Sequence, residues 1–279
     1  MPVRKLSSTF FPFLIVVLVL LGSSRYSGAQ GFESGREMDI PAPTMGKLLS
    51  VKEEFVYNVT YSFFTLGKIY VETVYDTTFQ GKNCFYLKTE IRSNHHIPLV
   101  GKEINRYGSF VEVADSLPRT LQFWFDNVDE DIMQETRYFF DRDSGKVFTY
   151  EMGEPVDTLE LEEPASSGHI VFYLSRLFAG TREPYDIPIY INHEKGRLRA
   201  ESNPRVKMRK YEAFEEPIPV YKAEGFANID GPFGFNGRFI SFFSADKWRV
   251  PLEGNVKVWL GYAKIRLIEY SREPLNTKY

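Results

Sequence analysis

The chain has one cysteine, Cys84, among its 279 residues. A single cysteine cannot form an internal disulfide, so packing and hydrogen bonds must hold the fold. Cys84 begins the stretch CFYLKTEI, which has the pattern of a strand, and a lone cysteine in such a place behaves as a small buried apolar residue. A disulfide framework is therefore excluded, and a thiol nucleophile is not favoured.

The chain also lacks an excess of positive charge. Its 34 lysines and arginines are outnumbered by 37 aspartates and glutamates, for a net charge of −3. Nucleic-acid binding needs a clustered basic surface, so no nucleic-acid partner is expected. One strand-like stretch places Arg205, Lys207 and Arg209 on a single face. This face could be a patch that binds lipid headgroups or an acidic partner. The interpretation we prefer is an edge strand protected by charge.

Long apolar runs are scarce, and the one at residues 10–21 lies near the N-terminus. Arg4 and Lys5 precede it, and Ser-Gly-Ala follows at 27–29. This order is typical of a secretory signal peptide, and the run is shorter than the about 20 residues that a spanning helix needs. We predict a cleaved signal peptide over 1–29 and a soluble protein in the periplasm of a Gram-negative-type bacterium. It is not expected to be a lipoprotein, because no cysteine lies near the cleavage site.

Motifs for catalysis and metal binding are missing as well. The sequence has no G-x-S-x-G nucleophile elbow, no phosphate-binding loop and no histidine spacing typical of zinc sites. The acidic stretch at 126–132 lacks the glycine and the final glutamate of a calcium loop and is interpreted as the tip of a hairpin. We predict no cofactor and no metal, and a hydrolase that uses His169 or His193 is the least favoured function.

Aromatic residues and alternating segments are abundant instead. Phe, Trp and Tyr make up 16% of the chain, and apolar and polar residues alternate as in half-buried strands. Turn residues separate these segments at the spacing of a sandwich, a barrel or a curved meander. We predict a mainly β fold, a strongly curved antiparallel sheet or incomplete barrel, in which Gly67 marks the return between the first two strands. Its middle strands are predicted at 105–113, 119–126, 133–141, 146–151 and 156–161.

One helix is predicted, over 168–179, with serines before it and a glycine after it. Its residues are apolar on nearly all sides, which is typical of a buried helix, so we expect it to plug the concave side of the sheet. Residues 30–52 combine Gly, Pro and charge without a period, and are predicted to be a flexible tether. A single domain over 53–272 and a C-terminal tail over 273–279 complete the organisation.

The segment from Ser244 to Tyr270 ends the predicted domain and is interpreted as scaffold. Asp246 and Arg249 are expected to pair beside the start of a strand, where Pro251 fits well. Farther on, the inward residues change from even to odd numbers at Gly261, which requires an extra residue or a turn. A β-bulge in one long bent strand is the preferred interpretation, and a tight hairpin is the alternative.

Four stretches of the sequence stand out together. They are ADKWRVP with WLGYAKIRL near the end, FYLSR at 172–176, YSFFTLGKIYVE at 61–72 and DSLPRTLQF at 115–123. In their order along the chain they resemble the bacterial domain-of-unknown-function family 3108, although Ser167 and Ile170 stand where that family often has Asp and Ser. The resemblance implies an exported cell-envelope protein. It also implies an architecture like that of half-barrel lipoprotein carriers, in which a curved sheet wraps a helix and forms an apolar cleft.

The curved sheet and its inward rings predict a non-enzymatic protein that binds an apolar or amphipathic, lipid-like ligand in a half-barrel cleft. The residues expected to line this cleft are Trp248, Trp259, Phe172, Tyr173 and Phe123. The alternative is a scaffold or assembly factor for envelope polysaccharide or outer-membrane machinery, which would use a flat or edge surface and an envelope protein partner. The cleft hypothesis has no basis if the rings simply fill a core.

Overall fold

The structure is a computed structural model that describes residues 35–97, 102–113, 117–129, 132–168, 170–231, 235–258 and 261–275. The predicted signal peptide over 1–29 lies outside these ranges, as do His169 and Trp259. Phe172 is described by its backbone alone.

Sixteen strands and two short helical segments make up the described chain. The strands are β1 (Arg36–Glu37), β2 (Val51–Tyr61), β3 (Phe64–Phe79), β4 (Lys82–Ser93), β5 (Glu103–Val113), β6 (Pro118–Asp129), β7 (Ile132–Asp141), β8 (Lys146–Glu151), β9 (Glu154–Glu160), β10 (Ser166–Ser167), β11 (Tyr185–Ile191), β12 (Glu194–Arg209), β13 (Ile218–Gly231), β14 (Phe235–Ser244), β15 (Pro251–Val258) and β16 (Gly261–Pro274). The helical segments are α1 (Met45–Leu48) and α2 (Val171–Leu174), and a 3-10 turn (Ser175–Leu177) follows α2.

All sixteen strands belong to one sheet. The order is β10-β11-β12-β13-β14-β15-β16-β2-β3-β4-β5-β6-β7-β8-β9, with β1 paired beside β12. Among the described residues every pairing is antiparallel except that of β10 with β11. We call the end at which β2 leads into β3 the upper end, and the end at which β3 leads into β4 the lower end. The predicted mainly β, antiparallel architecture is confirmed.

The sheet curls until strands from its two halves meet. The hydroxyl of Tyr138 on β7 accepts a hydrogen bond from the backbone N of His193, which follows β11, over 3.1 Å. The rings of Phe140 on β7 and Tyr190 on β11 meet edge to face with centroids 5.4 Å apart. Because β7 and β11 stand near opposite ends of the strand order, these contacts require a strongly curved sheet.

The barrel is nevertheless incomplete, because within the described residues no ladder joins β9 to β10 or β11. Side chains span the gap instead. The hydroxyl of Tyr190 donates to the carbonyl of Glu160 over 2.8 Å and accepts from the amide of Glu162 over 2.8 Å. His193 Nε2 lies 2.9 Å from a carboxylate oxygen of Glu151. The seam is therefore held by single contacts rather than by a row of backbone bonds.

The described residues of the segment 165–178, which leave out 169, lie on the inner face of the curled sheet. Ser167 Oγ is 2.8 Å from Ser109 Oγ on β5, and the ring of Tyr173 lies 6.1 Å from that of Phe85 on β4. The helix predicted over 168–179 is wrong, since α2 is one turn long and continues only as a 3-10 turn. Ser166 and Ser167 pair with β11 as a strand, so tertiary pairing overrides the helical pattern at its start.

The described part of the predicted tether carries structure. Residues 36–37 pair with β12 as β1, and Thr44 caps α1 by accepting a hydrogen bond from the amide of Lys47 over 3.2 Å. Met45 and Leu48 are 4% and 0% exposed because they pack into the main core. Composition suggested a tether, but two apolar residues on one side of a single helical turn are enough to anchor this segment.

Two glycines have roles that differ from the predictions. Gly261 begins β16 and pairs with Val258, so β15 and β16 form a hairpin rather than one bulged strand. The inward residues change from even to odd numbers because the chain reverses between the two strands, which places inward-facing Val256 opposite Ala263. Gly67 lies within β3, opposite a register shift, where a Cβ atom would stand 2.3 Å from the carbonyl oxygen of Arg92. It permits close approach of β4, and the return itself occurs before Phe64.

The basic stretch on β12 is not an edge strand. One side of β12 pairs with β13. The other side pairs with β11 along the upper part of β12 and with β1 at residues 205–206. Arg205 lies 3.8 Å from Glu37 and Arg209 lies 3.4 Å from Glu253, so two of its charges face carboxylates of this chain.

Candidate functional site

Three of the residues predicted to line a cleft are described with their side chains, and these three do not come together in one. Phe123 and Tyr173 are 0% and 1% exposed and belong to the main core. Trp248 lies at the lower end, 8% exposed, with the guanidinium of Arg272 4.2 Å and the amine of Lys47 4.5 Å from its ring. Cation–π contacts of this kind hold the indole in place. The side chains of Phe123, Tyr173 and Trp248 therefore act as packing.

Glu53 and Arg176 form a completely buried ion pair at the lower end. Arg176 Nη1 lies 2.6 Å from Glu53 Oε2, and Nη2 lies 3.1 Å from Oε1, with both side chains 0% exposed. The hydroxyl of Tyr270 donates to Glu53 Oε1 over 2.6 Å. Two-point geometry and an added hydrogen bond are the conditions under which a buried pair offsets its desolvation.

Arg176 and Arg249 also fasten two separate segments to each other. Arg176 donates to the carbonyl of Trp248 from Nε over 2.9 Å and from Nη2 over 2.7 Å. Arg249 donates from Nε to the carbonyl of Ala179 over 2.9 Å, and from Nη2 to the carbonyl of Ile40. Each arginine binds the backbone of the other's segment, and we call the two together the arginine clamp.

The predicted pairing of Asp246 with Arg249 takes a different form from an ion pair. Asp246 Oδ1 accepts from the backbone amides of Trp248 and Arg249 over 2.8 and 3.0 Å. Arg249 Nη1 donates to the backbone carbonyl of Asp246 over 2.7 Å. The aspartate therefore shapes the turn, in which Arg249 has a φ of +49°, and the turn aims the guanidinium inward.

The environment of the ion pair shifts the pKa of its neighbours. Burial raises the pKa of Tyr57 and of Tyr270 above the usual value, because a phenolate is costly to form away from water. Burial is the largest influence on the pKa of Arg176 and acts to lower it. The charge and hydrogen bonds of Glu53, together with the nearby hydroxyls of Tyr173 and Tyr270, outweigh burial, so the pKa is raised. The lower end is thus a network of groups bonded to one another, which fixes the fold.

A lateral cleft of about 480 Å³ lies between residues 37–42 and the turn at 177–183. Its walls carry Glu37, Asp39, Arg182 and Glu183 beside proline and alanine, and Arg182 lies 3.0 Å from Glu37. Such a charged wall differs from the apolar cleft that the sequence predicted, and none of the predicted ligand residues lines it.

The inner face is less completely filled toward the upper end. Four inward apolar side chains there are only half-buried, namely Ile69, Phe125, Val256 and Ile265. Farther down the same strands, Val71, Phe123 and Leu267 are 4%, 0% and 0% exposed. Apolar surface that faces inward and still meets solvent is the kind of surface that lines small-molecule sites.

Four polar residues, Glu103, Asn105, Asn127 and Thr89, share the inner face at the same end, and we call them the polar cluster. Asn105 and Asn127 face each other across β5 and β6, and their Nδ2 atoms donate to Glu103 Oε1 over 2.9 and 3.4 Å. Asn105 Oδ1, Asn127 Oδ1 and Thr89 Oγ1 are buried without a partner among the described residues. An unsatisfied buried oxygen costs about 1–3 kcal/mol, so a hydrogen-bond donor is expected to occupy this place.

Sequence reasoning found neither the arginine clamp nor the polar cluster. A signal for the cluster was present, because Asn105 and Asn127 have the same parity as the inward rings of Tyr107 and Phe125. A signal for the clamp was the single arginine, Arg176, inside an apolar run. Its carboxylate partner lies 123 positions away, and no local pattern specifies such a pairing.

The described residues contain no group of three or more His, Cys, Asp or Glu side chains placed to hold a metal ion. In the same part of the chain, no helix is both long enough and apolar enough to cross a membrane. His193, one of the two histidines considered for hydrolysis, contacts Glu151 and Tyr138 at the seam.

The fold defines a β-barrel-like domain. The chain is similar to the crystal structure of a β-barrel-like protein of domain-of-unknown-function family 1849 from Brucella abortus, with a TM-score of 0.50 and 9% identity over 80% of this chain and 98% of that one. At this identity the likeness shows the fold alone. No family model and no curated protein matches the chain. The likeness supports a β-barrel-like domain of unknown function but not family 3108 in particular.

Breaking the buried ion pair tests its part in the fold. We expect Glu53→Leu and Arg176→Met each to lower the free energy of unfolding by about 3–5 kcal/mol, because each leaves a buried charge alone. The double variant is expected to recover part of that loss, and urea unfolding of all three measures it. The exposed pair Lys52–Glu54, 2.7 Å apart, is the control, and Glu54→Gln is expected to cost under about 1 kcal/mol. Equal losses at both pairs would contradict the assignment.

The raised pKa of Tyr270 predicts how stability depends on alkaline pH. The unfolded chain releases this proton near pH 10 while the folded chain keeps it, so folding stability falls as the pH rises above about 10. Tyr270→Phe removes one such proton, and its urea midpoint is expected to fall less than that of the wild type between pH 8 and 11. Tyr262→Phe, at a 53% exposed side chain, is the control. The same slope for Tyr270→Phe and the wild type would contradict the prediction.

Proposed function

We propose that this chain is an exported, non-enzymatic protein of the bacterial periplasm that holds an amphipathic, lipid-like ligand in the upper end of its curved sheet. One observation carries the proposal: half-buried apolar side chains and unpaired buried oxygens share the inner face at that end. A cleft with apolar walls and a few converging polar groups is typical of small-molecule sites.

The closed lower end supports this assignment. The arginine clamp, the Glu53 ion pair and the segment 165–178 fill the interior from below. A ligand would therefore enter from above and rest on the plugged core. The cleft expected from Trp248, Tyr173 and Phe123 is replaced by one lined by Ile69, Phe125, Val256 and Ile265.

Export is supported by the sequence of residues 1–29, and the resemblance to domain-of-unknown-function family 3108 points to the cell envelope. N-terminal sequencing of protein recovered from the periplasm tests export, with Gln30 or Gly31 as the expected first residue. Recovery of the chain from the cytoplasm with Met1 intact would contradict it.

Filling the upper end tests the ligand site. Val256→Trp places a large ring among the half-buried side chains, so we expect it to weaken binding of dodecyl amphiphiles about tenfold or more by steric exclusion. Isothermal titration calorimetry, with each amphiphile below its critical micelle concentration, measures this. The matched control is Val156→Trp on β9, where Val156 is 47% exposed, and it is expected to bind as the wild type does.

Two results would count against the site. If the wild-type protein binds no dodecyl amphiphile with a dissociation constant below about 1 mM, the cleft does not take such ligands. If Val156→Trp weakens binding as much as Val256→Trp does, the amphiphiles bind elsewhere. Urea unfolding of both variants ensures that they are compared as folded proteins.

A second function, a scaffold for envelope machinery, is favoured by the outer face of β3 to β6. The rings of Phe79 and Phe110 stack 4.8 Å apart, and Tyr86 lies 4.8 Å from Phe110 and 6.3 Å from Trp124. All four are half-buried, and Gly108 leaves room for the indole, because a Cβ there would stand 2.3 Å from it. Aromatic residues are enriched in the centres of protein interfaces.

The scaffold hypothesis makes a separate prediction. Tyr86→Ala with Phe110→Ala on the outer face is expected to abolish recovery of a stable envelope complex while leaving amphiphile binding within about twofold. Affinity purification from the envelope fraction measures recovery of the complex, and calorimetry measures amphiphile binding. The exposed Val156→Ala serves as the control. Recovery of the same complex from the double variant would exclude this face as a scaffold surface.

A further inference from the structure

The polar cluster has a chemical character that narrows the ligand. Glu103 contributes a carboxylate, and Asn105, Asn127 and Thr89 contribute neutral oxygens on neighbouring strands β4 to β6. Asn127 and Thr89 are 8% and 7% exposed, so their oxygens are largely withdrawn from solvent. Glu103 and Asn105 are half-buried, which leaves the cluster reachable from the upper end.

The orientation of the two amides is fixed by the carboxylate. Because both Nδ2 atoms donate to Glu103 Oε1, both Oδ1 atoms are directed away from it. These oxygens and Thr89 Oγ1 accept nothing from the described residues. A threonine hydroxyl can donate as well as accept, but an amide oxygen can only accept. The unpaired atoms of the cluster are therefore acceptors, of which only the threonine hydroxyl can also donate.

The cluster also lacks a positive charge. Within the described residues, no lysine, arginine or histidine stands within 4.0 Å of the Glu103 carboxylate, although ion pairs surround Glu90 and Glu135 on the outer face. The charge of Glu103 is felt locally, since it adds to burial in raising the pKa of Tyr107. A partner for this cluster should bring both donors and a positive charge.

We propose that the polar cluster binds the primary ammonium group of an amphipathic ligand whose chain lies along Ile69, Phe125, Val256 and Ile265. This rests on the proposed function and specifies the head of its ligand. An ammonium offers three N–H donors and one positive charge, which suits three free acceptors beside one carboxylate. Charge-assisted hydrogen bonds of this kind are about twice as strong as neutral ones. An anionic head would instead meet the Glu103 carboxylate and two amide oxygens, which repel it.

A set of dodecyl ligands with different heads tests the proposal at pH 7 by isothermal titration calorimetry. Dodecylammonium is expected to bind about tenfold tighter than dodecyltrimethylammonium, which has the charge but no donors, and tighter still than dodecanoate. Monododecanoylglycerol supplies neutral hydroxyl donors and is expected to bind between these limits. The chain is the same length in all four, so its contribution cancels.

Variants of the cluster give the second readout. Glu103→Gln removes the charge and Asn127→Leu removes a free acceptor, and each is expected to reduce the preference for dodecylammonium over dodecyltrimethylammonium at least about threefold. Glu154→Gln, on the exposed β9, is the matched control and should keep the wild-type preference. Because the readout is a ratio of two affinities for one variant, a uniform loss of folded protein does not imitate the effect.

The possible failures are distinguishable. If none of the four ligands binds the wild type, the proposed function fails and the inference with it. If the chains bind but dodecyltrimethylammonium or monododecanoylglycerol equals dodecylammonium, the ammonium assignment is overturned while the cleft stands. An unchanged preference in both Glu103→Gln and Asn127→Leu would also overturn it, because binding would then not involve the polar cluster.

Discussion

Two buried arginines determine how this sheet is closed from below. Arg176 and Arg249 each bind a backbone carbonyl in the other's segment, so the α2 turn and the loop before β15 are joined twice. Neither arginine is exposed, and a desolvated guanidinium without partners would be prohibitive. The clamp therefore forms only when both segments are in place, together with the backbone carbonyl of Ile40 and the carboxylate of Glu53. Such mutual dependence makes the lower end form as one unit.

A lower end fixed in this way directs any opening to the upper end. The segment 165–178 supplies side chains that fill the interior up to the middle of the strands, where Phe123 and Tyr138 are nearly inaccessible. Above that level the rings of Tyr107 and Phe125 meet the polar cluster. Side-chain exposure thus increases from the core toward the upper end, because the segment 165–178 fills the interior from the lower end only. The side-chain seam beside β9 suits this arrangement, since it closes the curve without a rigid ladder along its whole length.

The repeated alternation of the sequence predicts most strands, because period two is a local property of an amphipathic strand. The strands at 133–141 and 146–151 correspond to β7 and β8 nearly residue for residue. Failures arose where tertiary contacts decide. The sequence at Gly261 favours a bulge because it lacks the Asn-Gly signal of a hairpin. Ser166 and Ser167 fit the cap of a helix, but they pair with β11 as a strand. The Glu53–Arg176 pair was beyond reach, because parity shows that a residue faces inward but not which residue it meets.

The inward polar residues carry more information about function than the inward rings. A ring at inward parity is explained equally well by a core or by a cleft, and Phe123 and Tyr173 proved to be core. An inward amide oxygen without a partner is different, because replacing Asn105 and Asn127 with apolar residues of similar shape would remove an unfavourable term from the folded protein. The hydrogen bonds to Glu103 account for the nitrogen of each amide, but within the described residues nothing accounts for the two oxygens. In the proposed site the ligand brings the donors for these oxygens, at the end of the sheet where the core stops.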